Sequence, residues 1–415
     1  MEKFYITGGK KLEGSVTLES AKNAVLPMIA VSVLTSEDVI IENCPQIQDV
    51  LSMIKILNHL GVTSSFSEGD LILNAKYLST NKITSELCGE LRASILMVGS
   101  LIARLSRVEL SRPGGCEIGL RPIDIHIRAL GELGVCSYCD NSTMIFERKK
   151  LKGKDIFLNF PSVGATENVI LASVLAEGIT VIHNSAREPE IIDLCKMLIK
   201  MGAKIQGEGS STITIEGVKK LHGTRYKPIS DRIELGTYLV AGAITGGKIE
   251  IRNANAENIW ALLTKISDNT CNISINNDII YMQSRDIRKA FSISTGPYPF
   301  FPTDMQAQVT SLLAVSQGLS VVEENMFEMR FRHIPELVKM GADIKIRGKN
   351  AIIKGVKKLH GLEVTACDLR CGASLVLAGL CAEGETVVDG INHVERGYFD
   401  MPRKLRELGA EIYKR

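Results

Sequence analysis

The stretch Ser111-Arg112-Pro113-Gly114-Gly115-Cys116-Glu117-Ile118-Gly119-Leu120-Arg121-Pro122 gathers one thiol and two guanidinium groups. Its three glycines and two prolines exclude a helix or a central strand, because glycine costs backbone entropy and proline has no N–H to donate. A cysteine flanked by arginines is biased toward the thiolate and suits an anionic substrate. A surface turn with an idle thiol accounts for the stretch equally well when it is taken alone.

Further polar residues stand at the mouths of apolar, helix-like segments. Lys22 and Asn23 open the first, Arg92 the second, Ser162-Val163-Gly164 the third, Asp231 and Arg232 the fourth, Asp304 the fifth and Arg370 the sixth. A helix N-terminus carries partial positive charge and free N–H groups, so it favours an anion. A cation there opposes helix stability by a few tenths of a kcal/mol, roughly, so the set of Lys22, Arg92 and Arg370 points to an anionic ligand. For any single one, a solvated head group or a pairing with Asp or Glu is the alternative. Asp231 reads as an N-cap or a domain-hinge contact, and Ser162 as an N-cap. Asp304 follows Tyr298-Pro299-Phe300-Phe301-Pro302, whose rings and prolines would fix it in place, and reads as a general base, with capping the alternative. Cys136-Ser137-Tyr138-Cys139 has metal-site spacing but no second Cys or His pair, so strand packing is expected and no metal.

These residues must be positioned by a repeating framework. The phrase Lys-Lys-Leu-x-Gly begins at Lys10, Lys149, Lys219 and Lys357, at multiples of a period near ~70 residues. A long side chain followed by Gly and Val or Ala recurs at Gly61, Gly134, Gly202, Gly341 and Gly409, and is lost around Asp268-Asn269-Thr270. Each unit runs apolar helix, strand, loop, amphipathic helix, strand. In the third, helices are expected over 165–175 and 188–201. The other apolar helices should begin near Ala21, Leu91, Glu234, Met305 and Cys371, and are apolar enough to be buried on nearly all sides. The expected fold is a two-domain inside-out α/β barrel with six repeats, three per domain, sheets outside and buried helices inside. The domains are 21–229 and 1–20 plus 230–415, cut near Pro228-Ile229-Ser230, with the N-terminal strand region before about residue 20 pairing with the last repeat, since each repeat begins with a Lys-Lys-Leu-x-Gly strand.

Composition sets outer bounds. The chain has 415 residues, 45% hydrophobic and 23% charged, which fits about two folded domains. A net charge of +2 gives no global attraction to nucleic acid or membrane. The N-terminus has no basic-then-apolar leader and no apolar run reaches spanning length, so a cytoplasmic protein with ten reduced, mostly core cysteines is expected.

The chain resembles the UDP-N-acetylglucosamine 1-carboxyvinyltransferases of the enolpyruvyl transferase family over essentially its whole length. The matching motifs are Ser20-Ala21-Lys22-Asn23-Ala24, Leu91-Arg92-Ala93-Ser94, Pro113-Gly114-Gly115-Cys116, Gly119-Leu120-Arg121-Pro122 and Ser162-Val163-Gly164-Ala165-Thr166. Further matches are Ala186-Arg187-Glu188-Pro189-Glu190, Ser230-Asp231-Arg232-Ile233-Glu234, residues 302–308, Asp368-Leu369-Arg370 and Glu395-Arg396-Gly397-Tyr398.

The resemblance implies transfer of the enolpyruvyl group of phosphoenolpyruvate to the 3-hydroxyl of UDP-N-acetylglucosamine, in a cleft between two domains, without a cofactor. By the same resemblance Cys116 protonates the substrate and is the target of fosfomycin, and Asp304 is the base. Lys22, Asn23, Arg121, Arg370 and Arg396 hold phosphoenolpyruvate, with Arg92 shaping the anion pocket. Asn23, Arg92, Arg121, Pro122, Ile123, Asp124, Ile125, Ser162, Val163, Gly164, Asp304, Met326 and Phe327 contact the sugar nucleotide. Two positions depart from the family pattern. Ile95 stands where some relatives have an aromatic, and Glu117 lies beside the thiol, where a carboxylate would raise its pKa. The alternatives are the sister transferase acting on shikimate 3-phosphate, which lacks the cysteine loop, and a non-catalytic sugar-nucleotide-binding paralogue.

Overall fold

The computed structural model describes residues 2–111, 114 and 123–415; Cys116, Arg121, Pro122 and Glu117 lie outside the described residues. Among the described residues, 2–19 with 230–415 form one compact unit, and 20–111, 114 and 123–229 form the other. Each unit holds three four-stranded sheets with a shared order: an edge strand parallel to its neighbour, then two antiparallel strands. In the third repeat, Asp155–Phe157 runs parallel to Ile179–His183, which is antiparallel to Thr212–Glu216, which pairs with Lys204–Gln206. Ile182, Ile213 and Ile215 are fully buried while their strand neighbours are more exposed, the period-2 alternation of a sheet covered on one face.

What covers that face are the apolar helices. Lys22–Val31, Leu96–Arg104 and Val163–Ser173 lie in one unit; Arg232–Thr245, Gln306–Ala314 and Leu369–Cys381 in the other. Every residue of Gln306–Ala314 is buried, so the helix has no solvent face and no amphipathic stripe. Expected starts shift where a tighter turn intervenes. Arg92–Ile95 and Thr303–Met305 are 3-10 turns that precede the second and fifth buried helices. The helices expected over 165–175 and 188–201 run Val163–Ser173 and Pro189–Lys200, the latter with proline in its first turn, where no N–H is missed.

Both sequence markers have steric causes. The glycine after Leu or Met ends an amphipathic helix in the left-handed region, with φ of +96° at Gly61, +94° at Gly134, +97° at Gly202, +99° at Gly341 and +90° at Gly409. The fourth repeat lost this glycine, and Thr270 substitutes by hydrogen bonding the Ile266 carbonyl through both its N–H, at 2.8 Å, and its hydroxyl, at 3.0 Å. The glycine of Lys-Lys-Leu-x-Gly permits close backbone approach. A Cβ on Gly153, Gly223 or Gly361 would lie 2.3, 2.4 or 2.5 Å from the carbonyl oxygens of Ile179, Asp38 or Glu385. The phrase therefore marks one structural position, the entry to a parallel edge strand.

The expected pairing of the N-terminal region with the last repeat holds for one of its two strands. The Lys-Lys-Leu strand, Glu13–Thr17, instead joins Lys248–Arg252 of the fourth repeat. The strand before it, Phe4–Thr7, enters the last repeat's sheet between Glu385–Asp389 and Glu411–Lys414. In the other unit, Thr224–Tyr226 returns to Val39–Ile41 of the first repeat. A strand from a distant part of the chain thus completes each of these three sheets. The Cys136/Cys139 pair lies on edge strand Val135–Asp140, as expected of a strand, but both thiols are exposed rather than packed. Residues three apart on a strand face opposite sides, which also separates them as potential ligands.

Candidate active site

In the unit that begins at residue 20, Lys22 is the first residue of its helix, preceded by an extended Ala21 with no side-chain cap. Its Nζ lies 3.0 Å from Asp49 Oδ2, in the first turn of helix Gln48–His59. Lys22 is therefore a cation held by a partner. Asn23 follows it, half-buried, and Arg92 is half-buried in its 3-10 turn.

Ser162 caps Val163–Ser173, its hydroxyl accepting the Ala165 N–H at 3.4 Å. Val163 and Gly164 form the half-buried first turn. A Cβ on Gly164 would lie 3.1 Å from the His126 ring, so glycine is what lets that ring approach the helix mouth. The Asn168 amide donates to His126 Nδ1 at 2.8 Å and its oxygen accepts the Gly99 N–H at 2.8 Å. With Nδ1 accepting, a neutral His126 carries its proton on Nε2, as a donor beside the helix mouth. Helix Asp124–Glu132 supplies His126; its Asp124 is exposed, and Ile125 and the preceding Ile123 are half-buried. His126 and Asn168 were missed by sequence reasoning; the available signal was the polar pair Glu167-Asn168 inside the mostly apolar helix Val163–Ser173. Burial, with Glu190 and Glu188 nearby, pushes the Glu167 carboxyl well above the usual range.

In the other unit, Asp304 sits in the 3-10 turn Thr303–Met305 and makes no side-chain cap, so the capping alternative fails. Its Oδ1 accepts from Arg330 at 2.6 Å and its Oδ2 from Arg370 at 2.8 Å. Both guanidiniums are nearly out of water, with side chains 4% and 7% exposed, whereas Asp304 is 29% exposed. Burial disfavours the Arg370 charge, but Asp304, Tyr398 and Asp231 outweigh it and raise its pKa. Arg370 also donates to the Tyr398 hydroxyl at 3.3 Å, which shares a 2.8 Å hydrogen bond with Thr237 and accepts from Gln308 at 3.3 Å.

Asp231 caps Arg232–Thr245 by accepting the Ile233 and Glu234 N–H groups, as its position before the helix implied. Arg396 is half-buried just after helix Asn392–Glu395. Burial first, and the Arg396 charge second, lower the pKa of neighbouring His393.

Met326 and Phe327 are set by Glu324. Its Oε1 accepts their N–H groups at 2.8 and 3.2 Å and the Thr295 hydroxyl at 3.0 Å; its Oε2 accepts Thr303 at 3.0 Å. One buried carboxylate thereby ties this loop to the residue before Asp304. The Phe327 ring lies 5.8 Å from the Arg330 guanidinium. Arg330 and Glu324 were also missed: nothing in Met329-Arg330-Phe331-Arg332 distinguishes the buried arginine from the half-buried one.

The family profile described as EPSP synthase (3-phosphoshikimate 1-carboxyvinyltransferase) matches residues 6–405. The chain is 46% identical over 415 residues to "UDP-N-acetylglucosamine 1-carboxyvinyltransferase 2" of Caldanaerobacter subterraneus subsp. tengcongensis, covering 100% of both proteins. It is 46% identical to "UDP-N-acetylglucosamine 1-carboxyvinyltransferase 1" of Clostridium acetobutylicum, covering 99% of each. Among solved structures it resembles the enolpyruvyl transferase NikO from Streptomyces tendae, with TM-score 0.91 at 22% identity over 100% of this chain and 98% of that one; at this identity the likeness speaks for the fold.

Proposed function

The chain belongs to the UDP-N-acetylglucosamine 1-carboxyvinyltransferases within the EPSP synthase family, and from that premise we propose that it transfers the enolpyruvyl group of phosphoenolpyruvate to the 3-hydroxyl of UDP-N-acetylglucosamine, the first committed step of peptidoglycan precursor synthesis. The observation that carries this reading is 46% identity along the entire chain to a protein of that name. The EPSP synthase reading is weaker, because the chain's full-length relatives at this identity carry the sugar-nucleotide name and the loop contains Cys116.

In the proposed reaction the sugar oxygen adds to C2 of phosphoenolpyruvate, Asp304 takes the hydroxyl proton and Cys116 protonates C3. Phosphate then leaves, C3 loses a proton and the double bond re-forms. Lys22, Asn23, Arg121, Arg370 and Arg396 hold the phosphate and carboxylate, where charge-assisted hydrogen bonds offset the cost of desolvating about three negative charges. Ser162, Val163, Gly164, Asn23, Arg92, Arg121, Pro122, Ile123, Asp124, Ile125, Asp304, Met326 and Phe327 position the sugar nucleotide. The Arg330–Asp304–Arg370 arrangement supports the assignment: it fixes a carboxylate beside an anion-binding guanidinium. As base, Asp304 exchanges one of these hydrogen bonds for the substrate hydroxyl.

No helix among the described residues is long and apolar enough to cross a membrane. The proposed setting is the cytoplasm, with small-molecule substrates, no nucleic acid and no cofactor. The test is phosphate release from the two substrates. Release with shikimate 3-phosphate but not the sugar nucleotide would overturn the assignment. Fosfomycin should add covalently at Cys116; full activity of Cys116→Ser would refute its acid role, whereas Cys116→Asp should turn over and resist the epoxide.

A further inference from the structure

Outside the proposed reacting groups, two thiols and a carboxylate converge at the start of helix Leu369–Cys381: the Cys367, Asp368 and Cys371 ligand atoms all lie within 4.8 Å of one another. Cys367 is half-buried and Cys371 is 1% exposed. Asp368 between them is the N-cap, its Oδ1 accepting the Arg370 N–H at 2.8 Å and the Cys371 N–H at 3.1 Å; its Oδ2 lies 3.7 Å from Cys367 Sγ. The same Arg370 holds Asp304. We propose that Cys367 and Cys371 form a reversible disulfide under hydroperoxide, which disturbs the Asp368 cap and withdraws Arg370 from Asp304, switching the enzyme off.

The chemistry is balanced. The Cys367 thiolate attacks one oxygen of hydrogen peroxide and breaks the O–O bond, giving a sulfenic acid and a hydroxide that becomes water by taking up the proton the thiol released. Cys371 then attacks that sulfur, forming S–S and expelling the sulfenic oxygen as a second water. Two thiols lose two electrons in all and the peroxide gains them. The environment separates the roles. The hydrogen bond with Cys371, together with the Arg332 charge, outweighs burial and the neighbouring Asp368 and holds Cys367 below its ordinary thiol value. The hydrogen bond with Cys367 and burial push Cys371 up, as befits a resolving thiol shielded from the oxidant. A divalent cation is a poorer occupant: Asp368 already accepts backbone hydrogen bonds, and Arg332 adds positive charge. Closing the sulfurs to the ~2.05 Å of a disulfide must move the first helical turn, because the cap lies between the two residues. That turn is packed, with a Cβ on Gly372 only 2.4 Å from Val394, so the strain passes to Arg370 rather than being absorbed locally.

The switch rests on the proposed transferase activity, and two readouts keep the readings separate. Intact protein is treated with hydrogen peroxide, its remaining thiols are alkylated, and peptides are mass-analysed while phosphate release is assayed before treatment, after it, and after dithiothreitol. The expected result is an internal Cys367–Cys371 disulfide and at least a tenfold activity loss that dithiothreitol restores. Cys367→Ser and Cys371→Ser should each remove the restorable loss. Alkylation of both cysteines after peroxide, or a disulfide with undiminished phosphate release, overturns the switch. Absence of phosphate release before treatment refutes the transferase reading instead. Oxidation of Cys116 is distinguished because its loss would persist in both serine variants.

Discussion

Asp304 has both oxygens engaged by buried arginines, so the proposed base also holds two buried cations in place. Asp304→Asn keeps the shape but cannot take a proton; the expected loss is roughly 10²–10⁴-fold in kcat, with a smaller change in KM for phosphoenolpyruvate. Unchanged kcat in the phosphate assay would remove Asp304 as the base. The same variant should melt at a lower temperature, because two nearly dry guanidiniums lose their countercharge. His333 offers a pH test close by. It is 1% exposed, its Nδ1 lies 3.2 Å from the Arg330 carbonyl oxygen, and burial pushes its pKa down to about 4. The folded state thus prefers the neutral ring, whereas the unfolded chain titrates near ~6.5. Its contribution to stability is complete above that value and is lost as pH falls from there toward 4, at no more than about 1.4 kcal/mol per pH unit. Melting curves across this window should slope less for His333→Gln than for the parent; equal slopes would reject the account.

At the scale of elements, a repeat is a parallel edge strand, a central strand and a hairpin covered by one buried helix, and its markers are backbone necessities. The last repeat is the telling case, because Phe4–Thr7 is an inner strand drawn from the other end of the chain. Phe4 and Ile6 are both fully buried, whereas Tyr5 on the opposite face is only half-buried. Ile6→Ala should therefore cost about 2–5 kcal/mol in chemical denaturation, by lost transfer energy and a cavity. Tyr5→Thr, which keeps the strand and changes the more open face, should cost much less. Similar losses would mean that the strand is not held by its inward face.

At the scale of the whole molecule, the unit holding residues 20–111, 114 and 123–229 is stitched at its ends. The Ala21 N–H donates to the Ile229 carbonyl at 2.8 Å, and Thr224–Tyr226 completes the first repeat's sheet. Expressed alone, residues 20–229 should melt cooperatively, since the sheets and helices of the three repeats are all retained. The fragment should release no phosphate from the two substrates, because it lacks Asp304, Arg370 and Arg396. A fragment that is unfolded by circular dichroism would show that this unit depends on the rest of the chain.

The sixfold repeat, the buried helices and the order of elements were legible in the residues, because glycine markers and apolar periodicity are imposed by local backbone geometry. So were the helix mouths carrying Lys22, Ser162, Asp231, Asp304 and Arg370, since capping and helix dipoles act within one turn. Tertiary structure alone decided their partners. Lys22 finds Asp49, Asp304 finds Arg330 as well as Arg370, and Asn168 fixes the His126 proton. These pairings join residues from different repeats or distant elements, and no periodicity within the sequence specifies which buried cation meets which carboxylate. The N-terminal strands illustrate the same limit. Their sequence marked them as strands, but hydrogen bonding across the chain's two ends chose their sheets.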